Sequence, residues 1–459
     1  MKTNWKKLLA VAVISVAAFA CRPDNGIIVP PEDEENTEEP ETPGDPGNPD
    51  ESGKNNDYFI YGLAEIYIDT DGGAKVDSKD KADYRPCTIT VDGMGVFPDY
   101  EGRGMIRGRG NSTWWWYDKK PYRIKLDEAS RLLDMKRNRD WVLLADYRDV
   151  THMMNNVGFS MAEYLGIPFA NHSRYANVTL NGEFIGLYMV TEQVEQGGHR
   201  VDIDENTGRL IALDINDGPA DVPDATNNYY SKVFGMASAV KYPEDCTAAE
   251  RDMVKAEFAA LEEAIQSMDW ADIDALLDVE SMINYLLLEE IIANVEMDNR
   301  PSTRSVYINR HDAGSKWVMG PVWDCDGGFS YNWGDMYDYW GWGHTYFENY
   351  RGLIYGTDPY RHVGWYGAGI SDFFADLFGV GEFLKAYKAR WNEVKDGLLE
   401  YVLDNIDNTE AVIGEAAQED MDLWGIDNYT HSKEVSKLKK WLANRFSYLD
   451  GVIAGYPEP

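Results

Sequence analysis

Two acids stand two residues apart in VWDCDGG: Asp324 and Asp326, beside Trp323 and ahead of two glycines. Upstream, the apolar stretch SMINYLLLEEIIANVEMDN reads as a helix ending at Asp298, and SVYINR and KWVMGPVWD read as two short strands after it. The order helix, acid, hairpin, acids can aim carboxylates into one cleft. Such a pair serves two chemistries. One acid can orient or deprotonate a hydroxyl while another holds Mg²⁺ on phosphate oxygens. Alternatively, two acids can flank a glycosidic bond. A lone Asp in a chain with 79 acids is ordinarily a cap or turn residue, and a calcium-binding turn is an intermediate reading of WDCDGG. The pair gains meaning from a second segment.

That segment is RGRGNSTWWWYDKKPYRIKL, Arg107 to Leu126. In a chain of net charge −36 the stretch from Arg103 to Lys125 gathers cations: Arg103, Arg107, Arg109, Lys119, Lys120, Arg123 and Lys125, with Asp118 the acid among them. Gly108 and Gly110 free the backbone so that amide N–H groups can approach an anion, and Asn111, Ser112 and Thr113 add short donors. Arg123 and Lys125 share one face of a strand. The set suits a polyphosphate. It is neither a Walker A loop, since no GKS or GKT follows, nor a GxGxxG loop, since Thr113 replaces the third glycine. Neutral sugars need no such cluster. Trp114, Trp115 and Trp116 read as packing or as a sugar or base platform.

The elements that must position these residues split the chain. YFIYGLAEIYIDT, TITVDGMGVF, PYRIKLD and WVLLADY read as strands. RYANVTLNGEFIGLYMVTEQV is a hairpin turning at NG. DVTHMMNNVGFSMAEYLGI has helical spacing and stops at Gly166, with Met153 and Met154 as core. The second half reads as mostly helical, from a cap at Thr247 through long helices in the C-terminal third. An α+β layout follows, a sheet-rich lobe before a helical one, and 459 residues suffice for both.

Ahead of them lies a targeting pattern. Lys2, Lys6 and Lys7 precede an uncharged run from Leu8 to Ala20, too short to span a bilayer and right for a signal peptide over residues 1–21. The ending AFAC resembles a bacterial lipobox, which implies a lipid on Cys21. Residues 22–56, rich in Pro, Gly and acid, are expected to form a disordered tether. The expected location is therefore an outer-membrane or cell-surface lipoprotein anchored by its N-terminal lipid. The strong acidity argues against a nucleic-acid partner. Cys87, Cys246 and Cys325 are too few for a disulfide framework, although one pair is possible.

RGNSTW…KKPYRIKLD resembles the signature of the spore-coat protein H (CotH) kinase family. The resemblance continues in WVLLADYRDVTHMMNN, VTLNGEFIGLYMVTEQVE and VWDCDGGFS and covers roughly Tyr58 to Trp333. It implies an atypical, protein-kinase-like two-lobed fold over residues 57–459, with an N-lobe to about 195 and a C-lobe from about 196. It also implies transfer of phosphate from ATP, with Mg²⁺ or another divalent cation, to serines or threonines of exported or surface proteins. By the same resemblance Asp298 is the base for the acceptor hydroxyl, and Asp324 and Asp326 are metal ligands. Gly108, Arg109, Gly110, Asn111 and Ser112 form the loop near the phosphates. Lys120 and Lys125 match the family's lysines, either of which could meet phosphate. Glu192 lines the hinge or pairs with a lysine. Ser305 stands where kinase-like loops supply a second metal-binding Asn, with Asn299 as an alternative. Met154 stands where members carry Arg. These departures leave room for a pseudokinase or a glycan-binding surface module, and the acids alone for a carboxylate-pair glycan-active enzyme. ATP is scarce outside the cytoplasm, so another donor, or contact during export, is an alternative.

Overall fold

The structure is a computed structural model that describes residues 59–294, 296–297, 303–330, 346–354 and 369–457. Asp298, Asn299, Cys21, the leader and the tether, and most of the Trp/Tyr-rich stretch after Ser330, lie outside the described residues. Among those residues no helix is long and apolar enough to cross a membrane.

The first half is a closed barrel. Its strands are β1 (Leu63–Thr70), β2 (Arg85–Asp92), β3 (Tyr100–Gly108), β4 (Tyr122–Ser130), β5 (Asn138–Leu144), β6 (Arg174–Leu180) and β7 (Glu183–Glu192), in the order β1-β2-β3-β4-β5-β7-β6. Alternation drives it. Ala64, Ile66 and Ile68 of β1, Ile89 and Val91 of β2, and Ile124 and Leu126 of β4 point inward and are fully buried. The sheet closes into a barrel because β1 pairs parallel to β6. Asn181 and Gly182, with φ of 52° and 78°, make the predicted β6–β7 turn. A one-turn helix, α1 (Ser112–Trp116), interrupts the β3–β4 connection.

Helix α2 (Met154–Leu165) follows β5 and is buried almost all round, Asn155, Asn156 and Ser160 along with its apolar residues. It ends at left-handed Gly166, φ 76°, as its glycine predicts. Beyond it lies a second sheet of order β12-β11-β8-β10-β9, all antiparallel. Its strands are β8 (Arg209–Leu213), β9 (Asn228–Tyr230), β10 (Ala237–Tyr242), β11 (Val306–Arg310) and β12 (Trp317–Met319). The two short strands expected after the apolar helix are β11 and β12, while β8, β9 and β10 are additions to a second half that is mostly helical, as expected. Strand β8 is buried at every position and so shows no alternation, and β9 is three residues long.

The helices are α3 (Ala248–Ser267), capped as predicted by Thr247, then α4 (Trp270–Leu276), α5 (Val279–Ile292), α6 (Ile370–Phe378), α7 (Gly381–Leu423) and α8 (His431–Ala454). Helix α5 stops six residues short of Asp298. Ala293 turns left-handed, φ 53°, and the Arg445 guanidinium takes the last carbonyls, of Glu290 and Ile291. Helices α7 and α8 form an antiparallel pair along α2, α5 and β7.

Candidate active site

The acid pair is built on a constrained turn. Leaving β12, the chain places Asp324 in the left-handed region at φ 64°, a conformation costing a non-glycine residue about 1–2 kcal/mol. The Cys325 amide donates to Asn155 Oδ1 of α2 at 2.9 Å, which pins the turn. Gly327 is required: a Cβ there would lie 2.6 Å from Glu296 Cγ. Ser305 Oγ donates to Asp324 Oδ2 at 3.1 Å, and the Ser305 amide to Asp214 Oδ2 at 3.0 Å. Arg148, in the loop between β5 and α2, pairs with Asp326 at 3.0 Å.

The charges here are crowded. Burial, then the Asp326 and Glu296 carboxylates, push Asp324 well above the carboxylate range, and its side chain hydrogen-bonds Asp326. Asp146 is pushed well above the ordinary range too, by burial and then Asp149, and its Oδ2 is buried without a hydrogen-bond partner. Glu296 is raised by burial, with Asp326 adding to the effect against Arg148. Among the described residues no three acid, His or Cys side chains are grouped to hold a metal. The Asp324–Asp326 pair still fits a hard divalent cation. Its donors are all carboxylate oxygens, the ligands such a cation takes.

The cationic loop faces this pair. The Arg109 guanidinium lies 5.4 Å over the Trp323 ring and faces Asp324 and Tyr307. Gly108 is fixed by Trp114, whose ring would be 2.2 Å from a Cβ, and Gly110 has φ 85°. Two of the loop's amides are already engaged: Gly108 donates to Ser78 O at 2.8 Å and Arg109 to Pro121 O at 3.1 Å. That corrects the expectation that the whole loop presents its N–H groups. Lys79, which the sequence did not single out, grips the loop instead. Its Nζ donates to Gly110 O at 2.8 Å and Asn111 Oδ1 at 2.7 Å.

The two lysines expected near phosphate are placed otherwise. Lys120 Nζ turns back onto the carbonyls of Trp114 and Tyr117, ending α1. Lys125 sits on the outer barrel face, opposite Met105 and Asp140. Its neighbour Arg123 is paired with Asp140 at 2.6 Å and Glu195 at 3.4 Å. Glu192 pairs with no lysine. It is fully buried, accepts from the His172 amide at 2.8 Å and lies 2.7 Å from His172 Nδ1, with Arg200 at 4.0 Å. Burial alone would raise its pKa; the His172 bonds and Arg200 outweigh that and hold it below the ordinary value.

Several acids near the site store protons. Burial, followed by Asp217, raises Asp214 to about 6. Burial, followed by Asp140, raises Glu195 to about 7, and burial raises Glu289 to about 7. A carboxyl raised in the folded state stabilises at low pH, and that contribution is lost as pH climbs through the folded pKa. His431, pushed down to about 4 by burial, acts in the opposite sense below pH 6.5. The clean window is therefore pH 6.5 to 8. With a chelator present, the urea midpoint is expected to fall across it. A flat or rising midpoint would contradict these assignments.

The family model described as CotH kinase protein matches residues 106–449. No curated protein matches the chain. Among solved structures, the crystal structure of the Golgi casein kinase is similar over 87% of this chain and 74% of that one. Its identity is 9% and its TM-score 0.27, too low to carry an argument. The family match runs from Ile106, beside the arginines of β3, to Leu449 on α8. It takes in the cationic loop, the acid pair and the helices behind them, and the chain belongs to the CotH kinase protein family.

Proposed function

We propose that the chain is a metal-dependent protein kinase that moves the terminal phosphate of ATP onto serine or threonine hydroxyls of exported proteins. The observation that carries this is the meeting of Arg109 with Trp323 and Asp324. An anion-binding loop from the barrel and an acid pair from the second sheet face one another across the sequence. In this reading the barrel is the nucleotide lobe, and the second sheet with its helices is the acceptor lobe.

Arg109 and the Gly110–Ser112 end of the loop bind phosphate oxygens. Asp324 and Asp326 hold the cation, which when bound neutralises charge on the phosphates. Arg148 keeps Asp326 in place, and the Ser305 hydroxyl orients Asp324. Asp298, outside the described residues, is the proposed base for the acceptor hydroxyl. Lys120 shapes the loop by closing α1 rather than by touching phosphate. Cys21 as a lipid anchor, and a surface or outer-membrane location, complete the proposal.

The test is incubation of the full chain with ATP and Mg²⁺ or Mn²⁺, then mass spectrometry for phosphoserine and phosphothreonine on the chain and on added protein acceptors. Phosphate is expected in the parent and absent from Asp298→Ala. A parent that gains none, and that ATP with Mg²⁺ does not stabilise to heat, would end the kinase reading. A second reading, a member that binds nucleotide without transferring phosphate, is favoured by Ser305. Its hydroxyl is committed to Asp324, where a second amide ligand would be expected. It predicts thermal stabilisation by ATP with Mg²⁺ but no phosphorylated product.

A further inference from the structure

One carboxylate outside the site gathers donors from three elements of the first half. Asp420, near the end of α7, is buried and lies 301 residues from Lys119 in sequence. Lys119 Nζ, from the turn before β4, sits 2.8–2.9 Å from its two oxygens. His152 Nε2, from the loop between β5 and α2, is 2.9 Å away. The Leu187 amide of β7 donates to Oδ1 at 2.9 Å. The barrel is shaped to admit this group. Gly186 has φ 99°, and a Cβ on it would lie 2.0 Å from Asp420 Oδ1. Lys119 also bonds Leu187 O, and its side chain has no exposure at all.

A buried ion pair is poor evidence for stability, because desolvation offsets the attraction. Its placement is more telling. The β5–α2 loop carries Asp146 and Arg148 toward the acid pair and His152 toward Asp420. A second tie from the same helical pair reaches this loop: His431 Nε2, at the start of α8, lies 2.9 Å from Thr151 O. Lys119 faces Asp146 as well as Asp420. Lys119 thus stands between Asp420 and Asp146, and Arg148 of the same loop pairs with Asp326. Without Asp420, Lys119 is left with Asp146 as its carboxylate neighbour, and His152 loses its tie to α7 while its carbonyl keeps the bond from Tyr175 Oη of β6.

We propose that Asp420 is a positioning residue: it fixes the Lys119 turn and the 146–152 loop so that Arg148 holds Asp326 in its working orientation. Its effect on turnover rests on the kinase reading; its effect on the loop does not.

The test pairs amide exchange of the full chain, read by mass spectrometry, with phosphate-transfer kinetics. Asp420→Asn keeps shape and removes charge. Gly186→Ala displaces the carboxylate and leaves its charge. Leu398→Ala, a cavity in the buried face of α7, controls for general weakening of that helix. Peptides spanning 146–154 are expected to exchange at least about tenfold faster in the first two variants and at the parent rate in the third. In the same two, kcat should fall at least about tenfold while KM for ATP stays within about twofold. Unchanged exchange in Asp420→Asn, or equal loosening in Leu398→Ala, would overturn the proposal. So would a loosened loop with parental kcat. A parent without transfer activity would remove the kinase reading, and the exchange comparison would still decide whether Asp420 holds the loop.

Discussion

Asp324→Asn lowers phosphate transfer by about 10²–10³-fold and leaves the folded chain as stable as the parent or more so. The two effects separate because the residue sits in an unfavourable place. Burial and the neighbouring Asp326 and Glu296 charges oppose its ionisation, so its carboxylate is held at a cost to the fold. Asparagine removes that repulsion, and its oxygen can still accept from Ser305 Oγ. What is lost is one of the two acid side chains proposed to hold the cation. Urea unfolding in chelator reads the first effect and ATP turnover the second. Mg²⁺ should raise the parent's melting temperature and not the variant's. A variant that turns over like the parent, or that unfolds much more readily in chelator, would place Asp324 among structural caps instead.

Arg445→Met is expected to cost about 3–5 kcal/mol, the usual range for stripping one partner from a buried ion pair. The Arg445 side chain is fully buried. It lies 2.6 Å from Glu290 Oε1, and it donates to the carbonyls of Glu290, Ile291, Tyr350 and Gly352. Its loss takes the guanidinium from the buried Glu290 carboxylate and uncaps the end of α5, the helix that leads toward Asp298. It also frees the 350–354 segment, whose Ile354 amide donates to the same Glu290 carboxylate at 3.3 Å. Adding Glu290→Gln should recover part of the loss, since the buried carboxylate charge is then removed too. A change below about 1 kcal/mol in chemical denaturation would show that the groups find other partners or water.

The sequence and the structure agree where a local rule was strong. Alternation marked the barrel strands, glycine marked the end of α2, NG marked the β6–β7 turn, and Thr247 capped α3. Arg109 of the RGRGNS loop lies over Trp323 of WDCDGG. Other features depend on distant partners, and no local pattern announces them. Barrel closure comes from a parallel pairing of β1 with β6. Lys119 and Lys120 are adjacent and alike, yet one is buried on a carboxylate of α7 while the other returns to its own turn. Glu192 looked available to a lysine because nothing near it in sequence foretells His172 or Arg200. Strands β8 to β10 were missed for a different reason. Buried on both faces or very short, they carry no two-residue rhythm to read.

The closing strand of the barrel also sets how the molecule would bear a mechanical load. Strand β1 is the first described element and is laced on both sides, antiparallel to β2 from Glu65 to Thr70 and parallel to β6 from Leu63 to Ile68. A pull on the chain ahead of Leu63 runs along the strand axis. It loads both ladders in shear, so that many hydrogen bonds must fail together. A pull on the far end instead peels α8 from α7 turn by turn. The barrel end is therefore the one suited to carry tension, and forced unfolding should begin at the C-terminal helices whichever end is held.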